Sequence, residues 1–164
     1  MIRSATKADV PIILAFIRGL ADYEKLSHEV EATEEKLRAT LFPPAGTAGA
    51  AAAECVLAFD EEGPGGAEPA GFAIYFCTYS TFLAKPGLYL EDLFVWPEKR
   101  GRGFGKGLIL HLAKLANQRG CGRMEWSVLD WNESAIAFYE SLGAKRMTEW
   151  TICRLTGEAL ERFA

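Results

Sequence analysis

The stretch from Leu88 to Arg119 limits the chain most. Leu88–Val95 is apolar apart from Glu91 and Asp92, and reads as a buried strand that Pro97 ends. A basic turn follows, with Lys99, Arg100, Arg102 and Lys106 set among glycines at 101, 103, 105 and 107. Leu108, Ile109, Leu112, Ala113, Leu115 and Ala116 then recur at helical spacing to about Arg119. A helix that starts this way presents unpaired backbone N–H groups and a partial positive charge. Glycines let an anion approach those groups closely, so a pyrophosphate fits the chemistry. The spacing is not that of a Walker A loop, and Gly101-Arg102-Gly103-Phe104-Gly105 is not G-x-G-x-x-G. The turn also follows a late strand, which disfavours a Rossmann dinucleotide site. Taken alone it indicates an anion site, with a plain strand-to-helix connection as the rival.

The flanking sequence sets the fold class. Ile2–Ala5 reads as a short strand, and Thr6 to Asp9 as a capping box. Val10, Ile13, Leu14, Ile17, Leu20 and Ala21 mark a helix over about 9–22, and a shorter one runs from Thr33 to about Thr40. Pro43-Pro44 and the Ala/Gly-rich run 45–53 are loop. Strands are expected at Cys55–Phe59 and Gly71–Thr78, joined by a turn over 60–69, with a loop over 79–87. Beyond the turn and its helix come a strand Arg123–Leu129, a helix opened by Asn132 and stopped by Gly143, a last strand Lys145–Leu155, and a short turn near 157–163. The alternation implies an α/β or α+β fold, a sheet covered by helices, and the 164 residues suit a single domain over 1–164.

A net charge of -4 and a pI near 5.3 argue against nucleic acid as the main partner and leave room for a cationic substrate. Cys55, Cys77, Cys121 and Cys153 form no C-x-x-C, and three of them lie in apolar runs, so reduced structural thiols in a cytoplasmic protein are expected. No segment approaches a membrane span, no signal segment is evident, and His28 and His111 do not suggest a metal site. Trp126, Trp131 and Trp150 are expected in the aromatic core.

Arg100-Gly101-Arg102-Gly103-Phe104-Gly105 matches the R/Q-x-x-G-x-G/A signature of the GNAT superfamily of N-acetyltransferases, which the chain resembles. Tyr89–Val95 resembles that family's fourth strand. Trp131–Tyr139 with Leu142-Gly143-Ala144 resembles its last cofactor motif. Ala21–Ser27, Tyr89–Val95 and Val128–Asn132 resemble most the branch that acetylates spermidine, spermine and thialysine. The likeness is weakest over 43–70. After Arg146 the chain is shorter than that branch, which places a substrate-holding acid there; Glu149 is the available substitute.

The resemblance implies a mixed, mostly antiparallel sheet flanked by helices, a homodimer, acetyl-CoA as co-substrate, no metal, and a small primary amine as acceptor, attacked directly. It assigns the cofactor to Leu93, Phe94 and Val95, to the turn of Arg100, Gly101, Arg102, Gly103, Phe104, Gly105 and Lys106, and to Asn132, Glu133, Ser134, Ala135 and Tyr139. Glu91 takes the proton of the ammonium and Tyr139 protonates the leaving thiolate. Tyr23, Glu24, Glu91 and Asp92 line the amine site. Two rivals remain: a module that binds acetyl-CoA without turnover, and an acetyltransferase of peptide or protein amines. Glu91, Asn132 and Tyr139 together speak against the first, and the acids Glu24, Glu91 and Asp92 against the second.

Overall fold

A computed structural model describes residues 1–44, 50–63 and 66–164. Among the described residues five strands and five α-helices are defined: β1 Ile2–Ser4, α1 Val10–Glu24, α2 Glu34–Leu41, β2 Glu54–Asp60, β3 Glu68–Ser80, β4 Lys85–Val95, α3 Phe104–Gln118, β5 Met124–Trp126, α4 Glu133–Ser141 and α5 Glu158–Glu161. The chain divides into two compact units, Met1–Ser127 and Val128–Ala164.

The sheet belongs to the first unit. Its order is β1-β2-β3-β4-β5, antiparallel except for the parallel pair β4–β5. The expected α/β class with a mostly antiparallel sheet is therefore present. One face of the sheet is covered by α1 and α2. Val10, Ile13, Leu14 and Phe16 of α1 and Leu37 and Leu41 of α2 pack on Cys55, Leu57 and Phe59 of β2, Phe72 and Ile74 of β3, and Phe94 of β4. The two-residue period of the strands puts those side chains on one side. Phe16 is fully buried. It stacks on Phe72 at 5.2 Å and on Trp96 at 4.9 Å. Burying such a side chain stabilises the fold by about 1.5–3 kcal/mol.

Local chemistry sets the starts of these helices. The Asp9 carboxylate accepts the Thr6 backbone N–H at 2.7 Å and both arms of Arg3 at 2.7 and 2.8 Å. Residues 7–9 form one 3-10 turn before α1. Thr33 caps α2 by accepting the Lys36 N–H at 3.2 Å.

The helix α3 packs on the sheet with Leu108 and Leu112 fully buried. It begins at Phe104, before the expected Leu108. Gly105 and Gly107 look like turn residues, yet both are helical. A Cβ on Gly107 would sit 3.2 Å from Ile2 Cδ1, so glycine there serves close approach of α3 to β1.

Several expectations are corrected. Residues 79–87 are not an open loop: Tyr79 pairs with Pro86 and Ser80 with Lys85 in a hairpin, which Ala84 helps close at φ 49°. The strand expected over 123–129 shrinks to Met124–Trp126, because only these residues find partners on β4. The strand expected over Lys145–Leu155 is absent: residues 144–150 are irregular and 151–156 join no ladder. Its apolar residues fall on odd positions at Met147 and Leu155 but even ones at Trp150 and Ile152, so neither face is continuous. All four are exposed, Trp150 to 76%. Trp131 is also exposed, so neither it nor Trp150 is core. All four cysteines are free, but only Cys55 is buried; Cys77 and Cys153 are exposed. Of the Ala/Gly-rich run 45–53, residues 45–49 lie outside the described residues, as do 64 and 65 of the turn over 60–69.

Among the described residues, no helix is long and apolar enough to cross a membrane.

Candidate active site

The strand β4 is irregular in two ways that matter for chemistry. Its parallel ladder with β5 covers only Leu88, Leu90 and the residue between them, opposite Met124–Trp126. Residues 91–95 run on without β5. Toward β3, Trp96 N–H donates to Ala70 at 3.0 Å, and Val95 lies opposite Gly71. That pattern makes Val95–Gly71 a wide pair, and the alternation makes Leu93–Ala73 another. The N–H and C=O of Leu93 and Val95 therefore point to the β5 side, whereas those of Phe94 point to β3. One of these groups is already engaged: Val95 C=O accepts Arg100 Nε at 3.1 Å.

The second irregularity is a bulge. Ile74 pairs with Asp92 and Tyr75 with Leu90, which leaves Glu91 opposite no residue. Bulges re-aim side chains. Here Glu91 is exposed while Asp92 is half-buried. Asp92 lines an open cavity of about 350 Å³ with Glu24, Glu29, Glu31 and the apolar Ile17 and Leu20. Burial, then the charges of Glu91 and Glu24, push the Asp92 carboxyl up to about 6. Burial also raises Glu24. Glu24 and Asp92 are expected from the sequence, whereas Glu29 and Glu31 lie in a polar stretch with no periodicity to single them out.

Tyr23 ends α1 beside Glu24. The Arg100 guanidinium lies 4.6 Å from its ring centre and 5.5 Å from that of Phe94. Arg100 thus touches both the strand of the expected cofactor site and a residue of the expected amine site.

The turn after β4 carries the expected backbone. Gly101 and Gly103 hold φ of 74° and 84°, in the left-handed region that favours glycine. Gly103 is the N-cap of α3, so Phe104, Gly105 and Lys106 form its first turn, with the donors an anion needs. Such a turn and the open edge of β4 fit a ligand that joins a pyrophosphate to an amide-bearing arm. The Arg102 side chain is committed elsewhere: it clasps Asp60, a residue that sequence reasoning did not single out. No spacing rule links Asp60 to position 102.

The second unit holds the remaining candidates on α4. Asn132 caps this helix: its Oδ1 accepts the Ala135 N–H and the Ser134 hydroxyl, each at 3.2 Å. Glu133 opens α4, and Tyr139 lies on it, its ring 5.3 Å from Phe138. Burial pushes the Tyr139 phenol up, so it stays protonated at neutral pH. Glu149 lies in the irregular segment after α4.

Known proteins resemble this chain over most of its length. Residues 18–144 match the model of the acetyltransferase (GNAT) family. The chain is 41% identical to a thialysine N-epsilon-acetyltransferase of Bos taurus, over 100% of this chain and 96% of that protein. It is 38% identical to an L-ornithine N5-acetyltransferase of Arabidopsis thaliana, over 98% of this chain and 86% of that protein. Among solved structures, an integron cassette protein from the mobile metagenome of V. cholerae superposes with a TM-score of 0.76 at 26% identity, over 99% of this chain and 96% of that one. The glycine turn that opens α3, the open strand before it and the extent of the family match lead to one conclusion: the chain belongs to the GNAT family and is an acetyl-CoA-dependent N-acetyltransferase.

Proposed function

We propose that the acceptor is the terminal amine of a small cationic compound, a thialysine- or ornithine-like amino acid, a diamine or a polyamine. The observation that carries this reading is the cavity where Asp92 and Glu24 meet an apolar floor. Two carboxylates attract an ammonium, and the floor suits the methylenes beside it. The names of the thialysine and ornithine relatives point the same way. We take both compact units as parts of one catalytic domain, because the family match runs across the boundary at Ser127. The homodimer and the cytoplasmic location expected from the sequence belong to the same proposal; light scattering and fractionation test them.

Each proposed step has a residue. The backbone N–H groups of the turn and of the α3 start hold the pyrophosphate, and the amides of the pantetheine arm meet the β5 side of Leu93 and Val95. Asn132 to Ala135 contribute at the start of α4. An alkyl ammonium has a pKa of about 10.4, so it must lose a proton before it can attack. We assign the base role to Asp92, which lines the cavity and whose carboxyl near 6 accepts that proton better than an ordinary one, in place of the Glu91 that the resemblance names. Glu91 keeps a catalytic part in this reading: its charge raises Asp92 and attracts the substrate. The amine attacks the thioester carbonyl directly. The oxyanion is met by a backbone N–H on the open edge, from Leu93 or Val95 rather than Phe94. Tyr139 gives its proton to the departing thiolate.

A thiol-release assay with acetyl-CoA and a panel of thialysine, ornithine, diamines, polyamines and a lysine peptide tests the reading. Turnover of the small amines over the peptide is expected. Preference for the peptide would overturn it.

A further inference from the structure

Lys99, Arg100, Arg102 and Lys106 surround the turn after β4, and charge alone would offer all four to phosphates. Two of them are paired with carboxylates. Both arms of the Arg102 guanidinium hold the Asp60 carboxylate, with Nη2 2.9 Å from Oδ1. Lys99 Nζ lies 2.8 Å from Asp60 Oδ2 and 2.9 Å from Glu68 Oε2. The Glu62 N–H adds a fourth donor to Asp60 at 3.2 Å. Asp60 is the last residue of β2, and its side chain is only 3% exposed. Paired in this way, its carboxyl stays well below the usual carboxylate range.

Position matters as much as charge. Arg102 is the one side chain between Gly101 and Gly103, both left-handed. Glycine has more conformational freedom to lose than any other residue, so such a turn wanders unless something anchors it. A planar guanidinium gripped at both nitrogens fixes orientation as well as distance. Lys99 ties the start of the turn to the same carboxylate.

We propose that Asp60 is the positioning residue of the cofactor turn: it holds Arg102 and Lys99 on β2, turns the Arg102 guanidinium away from the phosphates, and so fixes the backbone N–H groups that receive the pyrophosphate of acetyl-CoA. This rests on the assignment of that turn to acetyl-CoA made above. Asp60 touches no reacting atom. Its effect falls on acetyl-CoA binding and not on the amine or the chemical step.

The test is equilibrium binding of acetyl-CoA to the full chain by calorimetry across a sodium chloride series, with steady-state kinetics beside it. D60N is expected to raise both Kd and KM for acetyl-CoA roughly tenfold, the cost of a lost preorganising contact. The amine KM and the kcat at saturating acetyl-CoA should stay within about twofold of the parent. D60N/R102Q removes one charge of each sign and leaves neither Asp60 nor Arg102 unpaired. It should weaken binding about as much as D60N alone, since both variants lose the same pairings of Asp60 with Arg102 and Lys99, and keep the salt dependence of the parent. Unchanged or tighter binding by D60N overturns the proposal. So does a shallower salt dependence in the double variant, because it places the guanidinium on the phosphates. If D60N does not fold, the double variant decides alone. A parent that binds no acetyl-CoA removes the underlying assignment and the proposal with it; a parent that binds while D60N is unaffected removes the proposal only.

Discussion

Asp92→Asn tests the proposed base through its cost to the fold. The carboxyl is held at about 6 instead of 3.8, by burial first and by Glu91 and Glu24 after it. A carboxyl raised by folding stabilises the native state while protonated. That contribution is complete below about pH 4 and is lost as pH rises through about 6. The span from 3.8 to about 6 corresponds to about 3 kcal/mol. Asparagine keeps the shape of the side chain and never ionises. The variant should therefore gain on the parent as pH rises from 4 to 7.5, by up to about 3 kcal/mol. Urea unfolding at several pH values measures the difference. The same variant should lose amine turnover, together with the acid limb near pH 6 of kcat/KM. A stability difference that does not grow with pH, or a variant weaker than the parent at pH 7.5, refutes the reasoning.

Three further outcomes are expected. Glu91→Gln removes a like charge beside Asp92, so the acid limb of the kcat/KM profile should move to lower pH; an unmoved limb would detach Glu91 from the base. Tyr139→Phe should lower kcat by about 10²-fold or more with acetyl-CoA affinity little changed, read by turnover and calorimetry. An unchanged rate would take Tyr139 out of the acid role. Gly19→Ala sets helix propensity, a gain of about 1 kcal/mol, against a Cβ placed 2.6 Å from Trp96 Cζ3 and 3.0 Å from Phe94 Cε1. The clash should win by about 1–2 kcal/mol and lower Tm; a higher Tm would mean that the indole gives way.

The sequence made the helices legible where one face is apolar, as in α1 and α3, and the strands where a run is buried on both faces, as in Cys55–Phe59. It misled where tertiary partners decide. Nothing local says that Lys145–Leu155 lacks a neighbour strand, or that Gly105 and Gly107 are helical so that α3 can approach Ile2. The turn at 100–105 was legible as a glycine-shaped link from strand to helix, since Gly101 and Gly103 take the left-handed φ that such a motif requires. Which of Glu91 and Asp92 lines the cavity was not legible, because it depends on a bulge visible only in the register with β3. Asp60 was out of reach for a similar reason: it meets Arg102 across 42 residues.

The short ladder between β4 and β5 has a consequence for any effort to improve this protein. It ends after three pairs, which leaves the sheet short of backbone hydrogen bonds that a longer β5 would supply. In the proposed mechanism the pantetheine arm acts as the missing strand. Variants that extend β5 along residues 91–95 would win a selection for heat resistance by closing the slot their co-substrate needs. Selections for thermal survival and for turnover should therefore rank such variants in opposite orders.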